Sequence, residues 1–226
     1  LKEIKGCDFV ITGTSERSNH EIEAIKFCKK NKIKVVSFLD HWVNYKKRFK
    51  RNGNHSLPNE IWTGDKYSFE LAKKIFRKDN IKIRLKINPY LSNLKVNFKN
   101  KKKFLLYVSS SYRKKGIDEL DIFKKLLDIL PKLSLKSKKI IYKLHPSEFL
   151  RKYKNVSKKF SNSYKVKIIK DDDLEFYVKS SEAVFGCNSM ALVVASKLNI
   201  KSYNCTIHNK IVSNLPFKKI KILNVK

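Results

Sequence analysis

The 226-residue sequence has no apolar run that reaches the roughly 18 residues needed to span a bilayer. Its amino end also lacks the charged segment followed by an apolar one that marks a signal peptide. These absences predict a soluble, cytoplasmic protein. The chain begins at Leu1 and enters an ordered pattern within a few residues, so we expect an upstream segment of the natural protein to be missing.

Acidic residues are scarce: 20 Asp and Glu stand against 52 Lys and Arg, which gives a formal net charge of +32. Such a field attracts polyanions, including nucleic acid. Because the lysines are spread over the whole chain, and Lys, Ile and Asn are abundant together as in a biased genome, we favour a solvated surface over a dedicated nucleic-acid site. Anionic substrates and peripheral contact with an anionic membrane fit the same field.

Paired metal-binding cysteines and the common nucleotide-binding glycine motifs are absent as well. Cys7, Cys28, Cys187 and Cys205 are far apart and form no CxxC pair, so we expect buried thiols. Neither GxGxxG nor GxxxxGK[ST] occurs, so the usual dinucleotide fingerprint and the P-loop are not supported. We expect no metal site and no resident cofactor.

Strand-like apolar runs alternate with amphipathic helical segments along the chain. The predicted strands are CDFVITGTS (7–15), KVVSFLD (34–40), EIWTGD (60–65), KFLLYVSSS (103–111), KKIIYKLHP (138–146), YKVKIIKD (164–171) and AVFGCN (183–188). Helices are predicted around 18–33, 67–78, DELDIFKKLLDILPKL, SEFLRKYKNVSKKF and SMALVVASKLN. IKIRLKINPYL (81–91) and NFKNKKK (97–103) read as a connector.

This alternation predicts an α/β protein with two Rossmann-like domains, whose parallel sheets face a cleft. We place the boundary between residues 97 and 98, so that the domain of residues 1–97 is short or truncated and the second covers residues 98–226. Ligands of open α/β sheets bind outside the carboxyl ends of the strands, and the residues at those ends are therefore the candidates for chemistry.

Two strand ends of the second domain carry isolated polar residues. In VSSSYRKKG (108–116), Ser109 and Ser110 could face a phosphate, or the segment could be an ordinary polar loop. In LHPSE, Pro146 restricts His145 to an extended backbone at the strand end, and an imidazole there can donate a proton near neutral pH. Taken alone, a histidine in this position can equally cap local structure.

The segment FGCNSMALVVASKLN (185–199) is more specific. Here Asn188 and Ser189 precede a helix, whose unpaired N–H groups and dipole favour a phosphate. A plain helix cap explains the same residues. The functional interpretation gains weight because this segment and His145 end strands of the same predicted domain.

KLHP followed by GCNSMAL resembles the paired histidine-proline and serine motifs of bacterial sialyltransferases, polysialyltransferases and Kdo transferases. These are GT-B glycosyltransferases that use CMP-activated acidic sugars. The resemblance implies that His145 with Pro146, and Ser189 with Asn188, contact the donor's phosphate, and that His145 stabilises the leaving group. The second motif has Asn188 in place of the first serine of a pair. The resemblance covers roughly residues 103–206.

A transferase of this type also needs a base for the acceptor hydroxyl. Asp40, at the strand end FLDHW, is our candidate, although it could simply cap the following turn. Glu16, His20 and Glu21 are rival bases. The acidic run DDDLE (171–175) could meet the nucleoside, and we reject it as a metal site because consecutive residues do not point one way.

The predicted function is transfer of an acidic sugar, similar to sialic acid or Kdo, from a CMP-sugar to a glycan or lipid-linked acceptor in bacterial surface polysaccharide biosynthesis. The first domain would serve the acceptor and the second the nucleotide sugar. Three alternatives stay open: a CDP-glycerol-type glycerophosphotransferase, a nucleotide-sugar epimerase of related fold, and a non-catalytic basic module that binds nucleic acid or an anionic surface.

Overall fold

A computed structural model describes residues 4–15, 18–51, 53–95, 103–110, 113–114, 117–153, 164–170, 173–208 and 210–225. The chain divides into two compact units, Leu1–Asn93 and Leu94–Lys226. The predicted boundary between residues 97 and 98 lies outside the described residues and stays a prediction.

The first unit is built on a parallel sheet of four strands in the order β1-β2-β5-β6. Its elements are β1 (Phe9–Thr12), α1 (His20–Lys30), β2 (Lys34–Leu39), α2 (Tyr45–Arg48), β3 (Lys50–Arg51), β4 (Asn54–His55), β5 (Glu60–Thr63), α3 (Lys66–Ile75), β6 (Lys82–Leu85) and α4 (Pro89–Ser92). β3 and β4 pair as a separate antiparallel hairpin. The predicted connector at 81–91 is therefore wrong, because it contains β6 and α4. Lysine and arginine alternate with apolar residues in β6, which fits an edge strand with one half-buried face.

The core of the first unit lies between its sheet and helices. Val35, Val36 and Leu39 of β2 are buried, and they belong to the interior because β2 has neighbours on both sides. At the edge, β1 leaves Phe9 39% and Ile11 56% exposed. α3 begins with a complete capping box, in which Asp65 accepts from the Ser68 amide and Ser68 accepts from the Asp65 amide.

The second unit contains a parallel sheet of six strands in the order β11-β10-β7-β12-β13-β14. Its elements are β7 (Phe104–Val108), β8 (Arg113–Lys114), β9 (Ile117–Asp118), α5 (Glu119–Ile129), β10 (Lys139–Lys143), β11 (Lys165–Ile169), α6 (Leu174–Ser180), β12 (Ser181–Gly186), α7 (Met190–Lys197), β13 (Lys201–Thr206) and β14 (Lys221–Asn224). Short 3₁₀ turns cover Leu130–Lys132 and Leu150–Tyr153. Of the helix predicted at 147–160, the described part contains the second of these 3₁₀ turns. Residues 154–160 lie outside the described residues. β14 was not predicted.

The interior of the second unit is aromatic and continuous. All five residues of β7 are buried, as expected for a central strand of a covered parallel sheet. The Tyr107 ring stacks on Tyr142 with centroids 4.9 Å apart, and Phe123 of α5 packs edge-on against both rings. α7 is apolar on nearly every side and buries six consecutive residues, Ala191 to Ser196.

The strand order of this sheet reverses at its first strand. From β7 the chain moves to β10 and β11 on one side, and later to β12, β13 and β14 on the other. Connections that leave neighbouring strands in opposite directions open a crevice at the carboxyl ends, and ligands bind there in open α/β sheets. The crevice is expected at the ends of β7 and β12.

The four cysteines form no disulfide. Cys28, Cys187 and Cys205 are buried as predicted, whereas Cys7 is exposed, which corrects the expectation for that residue. Among the described residues, no helix has both the length and the apolar character needed to cross a bilayer.

Candidate functional site

Three neighbouring strands of the second unit end at the same level. In the pairing register Lys143 of β10 lies beside Val108 of β7, and Val108 lies beside Gly186 of β12. Parallel strands are about 4.8 Å apart, so the ends of β10 and β12 are separated by about 10 Å, with the end of β7 between them. The structure therefore brings the segments that contain Ser109, His145 and Ser189 to one edge of one sheet.

The end of β12 approaches β7 very closely. A Cβ atom on Gly186 would lie 2.7 Å from the carbonyl oxygen of Val108, a distance that real Cβ atoms essentially never show. Glycine at 186 is thus required by the contact between two backbones. This contact lies at the point where the strand order reverses.

Ser109 and Ser110 tie the end of β7 to its two neighbours. The buried Ser109 hydroxyl donates to Glu148 Oε2 at 2.6 Å, and the Ser109 amide donates to the carbonyl of Lys143 at 2.9 Å. The half-buried Ser110 hydroxyl donates to the carbonyl of Cys187 at 2.6 Å. Both hydroxyl protons serve this internal framework, and direct contact with a phosphate stays a prediction for these two residues.

His145 follows β10 in a tight turn. The Glu148 amide donates to the His145 carbonyl at 2.9 Å, and Pro146 occupies the second position of that turn, which its fixed φ favours. The imidazole is exposed, and its Nδ1 lies 2.7 Å from the Ser147 hydroxyl. Nδ1 also accepts from the Ser147 amide at 3.2 Å. Because an amide can only donate, the neutral ring carries its proton on Nε2, which is then a donor for a ligand.

Glu148 was not assigned a role from the sequence. Its carboxylate is buried, with 5% exposure, and it accepts from the hydroxyls of Ser109 and Tyr153 and from the amide of His145 at 3.2 Å. Burial and the neighbouring Glu148 carboxylate raise the pKa of the Tyr153 phenol, which keeps it a proton donor. The spacing in LHPSE could have indicated this contact. Glu148 stands three residues after His145, the first residue of the turn, and a side chain at that spacing can reach back to the amide.

Ser189 is the N-cap residue of α7, as predicted. Its hydroxyl accepts from the Ala191 amide at 3.3 Å. The preceding Asn188 adopts the left-handed conformation, with φ of 49°, which Asn tolerates better than most residues. Its amide group donates to Val212 O at 2.9 Å and its oxygen accepts from the Asn204 side chain at 3.0 Å. Asn188 thus shapes the loop before α7, and a contact with a phosphate stays a prediction for it.

Asp40 belongs to the first unit and directly follows β2, with its side chain exposed. The next helix, α2, has Asn44 as its N-cap residue, so Asp40 does not cap that helix. The rival bases His20 and Glu21 lie at the start of α1, and Glu16 lies outside the described residues. The base remains a prediction.

The acidic run after β11 is only partly described. Asp173 caps α6 by accepting from the amides of Glu175 and Phe176, whereas Asp171 and Asp172 lie outside the described residues. Within the described ranges there is no group of three or more His, Cys, Asp or Glu side chains arranged to hold a metal ion.

Comparison with known proteins identifies the family. The sequence profile of the alpha-2,8-polysialyltransferases matches residues 16–207. The chain belongs to the alpha-2,8-polysialyltransferase family. This match confirms the resemblance to bacterial sialyltransferases that the histidine-proline and serine motifs indicated. Sequence comparison with curated proteins finds no significant match.

Several solved structures that contain UDP are similar to this polysialyltransferase-family chain. The UDP-GlcNAc 2-epimerase of Methanocaldococcus jannaschii, in complex with UDP-GlcNAc and UDP, is 16% identical with a TM-score of 0.62, and the alignment covers 100% of this chain and 68% of that one. MnaA of S. aureus with UDP is 15% identical, with a TM-score of 0.62 and coverage of 90% and 60%. The pneumococcal O-GlcNAc transferase GtfA with UDP and GlcNAc is 11% identical, with a TM-score of 0.53 and coverage of 87% and 41%.

These similarities confirm the predicted α/β fold with Rossmann-like parallel sheets of GT-B type. At such low identity they show the fold alone. The chain spans 68% of the length of the M. jannaschii epimerase and 60% of the length of MnaA.

Proposed function

We propose that the protein is a glycosyltransferase that moves an acidic sugar, similar to sialic acid or Kdo, from a CMP-sugar donor to a hydroxyl of a glycan or lipid-linked acceptor in bacterial surface polysaccharide biosynthesis. The observation that carries this proposal is the alignment of His145, the serines after β7 and the α7 amino end on three adjacent strand ends, in a chain of the polysialyltransferase family. Cytoplasmic location, and peripheral contact with the inner face of the membrane, are part of the proposal.

His145 and the amino end of α7 would bind the CMP phosphate from two sides. The Nε2–H of His145 is available because Nδ1 is engaged by Ser147, and it can donate to a phosphate oxygen. The amino end of α7 offers a partial positive charge and the N–H groups of its first turn, of which the Ala191 amide donates to the Ser189 hydroxyl and the Leu192 amide to the Ser189 carbonyl. Both interactions strengthen as negative charge grows on the departing phosphate, so they favour the transition state over the bound donor.

In the proposed reaction, the bond between the anomeric carbon and the phosphate oxygen breaks and CMP leaves with the electron pair. The acceptor hydroxyl oxygen forms the new bond to the anomeric carbon and loses its proton to a base, for which Asp40 is the candidate. The formal charge of +32 would offset the charge of donor and acceptor. The proposal requires no metal and no resident cofactor.

A nucleotide panel tests the proposal. CMP, CDP, UDP and GDP are added to the purified protein, and the change in melting temperature is measured, since a ligand that binds only the folded state raises it. We expect the cytidine nucleotides, with CMP foremost, to stabilise the protein at concentrations where UDP and GDP do not. Stabilisation by UDP alone would contradict the donor assignment.

The epimerase alternative is supported by the fold of one structural neighbour, the UDP-GlcNAc 2-epimerase of Methanocaldococcus jannaschii. It predicts consumption of a nucleotide sugar without any acceptor, whereas a transferase needs the acceptor for net transfer. Turnover measured with and without a glycan acceptor separates the two. Turnover that does not depend on the acceptor would favour the epimerase.

A further inference from the structure

We propose that Glu148 is a positioning residue, which holds the His145 turn and the end of β7 in the arrangement that binds the donor's phosphate. The inference rests on the proposed function, because it assigns His145 to a phosphate. Glu148 itself is buried and would not touch the ligand.

The carboxylate joins three separate parts of the unit. Its Oε2 accepts from the Ser109 hydroxyl after β7, at 2.6 Å, and from the His145 amide after β10, at 3.2 Å. Its Oε1 accepts from the hydroxyl of Tyr153, in the 3₁₀ turn that follows. The Glu148 amide closes the loop by donating to the His145 carbonyl at 2.9 Å. His145 is therefore held through both its amide and its carbonyl by one residue.

Stability alone is a poor explanation for a carboxylate at this place. A buried charge loses its hydration, and a well-packed apolar residue often stabilises a fold as well as a buried charged group does. What an apolar side chain cannot supply is acceptors for three donors that come from different elements. Two of those donors, on Ser109 and His145, belong to strand ends of the candidate site, so the carboxylate sets their relative position.

The placement of the His145 ring depends on the same turn. The Ser147 amide and hydroxyl can engage Nδ1 only while residues 145–148 keep their turn, and that engagement leaves the proton on Nε2. Loss of the Glu148 carboxylate would release the His145 amide and loosen the turn. The ring would then approach a phosphate from many orientations, and the expected consequence is weaker nucleotide binding.

The test compares three substitutions at two neighbouring positions. Glu148→Leu keeps similar bulk but removes every acceptor. Glu148→Gln is the conservative variant, because its oxygen can still accept from Ser109 and His145 while its NH₂ group donates to the Tyr153 hydroxyl. Tyr153→Phe is the matched control, since it removes the donor on Oε1 and leaves the His145 contact in place.

The first readout needs no ligand. In the native protein the His145 amide should show hydrogen-exchange protection and an NMR order parameter of about 0.85, although the His145 side chain is exposed. In Glu148→Leu the order parameter should fall to about 0.6 or below, whereas Glu148→Gln and Tyr153→Phe should stay near the native value. An unprotected His145 amide in the native protein would overturn the proposal even if Glu148→Leu failed to fold.

The second readout is CMP affinity in a double-mutant cycle with His145→Ala. Glu148→Leu should weaken CMP binding roughly tenfold when His145 is present and less than twofold in the His145→Ala background. Equal losses in both backgrounds would show a merely structural role and overturn the proposal. If the native protein bound no CMP, the proposed function would fail, and the amide measurement would still decide whether Glu148 positions His145.

Discussion

The two sheets of this protein differ in the order of their strands. In the first unit the order β1-β2-β5-β6 follows the chain, whereas in the second the chain starts at β7 and builds outwards on both sides. Only an order that reverses opens a crevice at the strand ends, and this rule directs attention to the second unit. Topology thus supports the ligand site proposed for the second unit, and it gives no such support to the residues proposed in the first unit.

The strand ends of the two units differ in the same way. In the second unit the ends of β7, β10 and β12 are joined by the hydroxyls of Ser109 and Ser110. In the first unit Asp65, after β5, caps α3 and accepts from the Trp42 indole, and Asp40, after β2, is exposed. The hydrogen bonds between strand ends in the second unit fit its proposed role in phosphate binding, and the exposed Asp40 fits the role of base proposed for it.

The largest expected contrast is in the response to alkaline pH. Burial raises the pKa of many phenols and thiols in the second unit and of few in the first, among the described residues. The second-unit groups are Tyr107, Tyr142, Tyr153, Tyr164, Tyr203, Cys187 and Cys205, and the first-unit groups are Tyr45 and Cys28. An unfolded chain ionises its thiols and phenols near the ordinary pKa values of 9.0 and 10.0, while the same groups in the folded chain keep their protons to higher pH.

The stability from these groups is complete below pH 9 and is lost as the pH rises through the raised values, by about 1.4 kcal/mol per group and pH unit. Raising the pH from 7 to 10.5 should therefore lower the urea midpoint of unfolding more for the second unit than for the first. Both tryptophans, Trp42 and Trp62, lie in the first unit, and their fluorescence reports its unfolding. Unfolding of the second unit is followed by the reaction of Cys187 and Cys205 with a thiol reagent. Equal shifts of the two midpoints would contradict the contrast.

Substitution of Gly186, which lies where the strand order reverses, should have the next largest effect on stability. Gly186→Ala places a Cβ 2.7 Å from the Val108 carbonyl oxygen, and we expect a loss of about 1–3 kcal/mol in the free energy of unfolding. Gly13→Ala, directly after β1, is the matched control, since a Cβ there meets nothing within 4 Å. Denaturant unfolding measures both. A Gly186→Ala protein as stable as the Gly13→Ala protein would show that the close approach is absent.

The helix caps give a smaller effect that sharpens the comparison. Ser189→Ala and Asp65→Ala each remove a cap acceptor and should each cost about 1 kcal/mol of stability. Only Ser189→Ala should also weaken CMP binding, because α7 starts at the proposed phosphate site. Calorimetric titration of the two variants checks this. Equal losses of CMP affinity would mean that the effect passes through stability.

The sequence predicted the second unit well because its strands are long, apolar and followed by polar ends. β6 and β14 were missed because each has only two apolar residues, which stand beside basic or polar ones as in the loops of this lysine-rich chain. The placement of His145 and Ser189 after strand ends followed from the apolar runs that predicted β10 and β12. The engagement of Asn188 with Val212 and Asn204, and of Ser109 with Glu148, did not, because these bonds join residues 16 to 39 positions apart.

The central claim is that the strand ends of the second unit bind the donor's phosphate, and CMP titration of three proteins tests it most directly. Calorimetry would compare the native protein, His145→Ala and Asp40→Asn. Loss of a charge-assisted bond predicts that His145→Ala weakens CMP binding about tenfold or more, while Asp40→Asn leaves the affinity within about twofold. Native affinity for CMP in His145→Ala, or an equal loss in Asp40→Asn, would contradict the account.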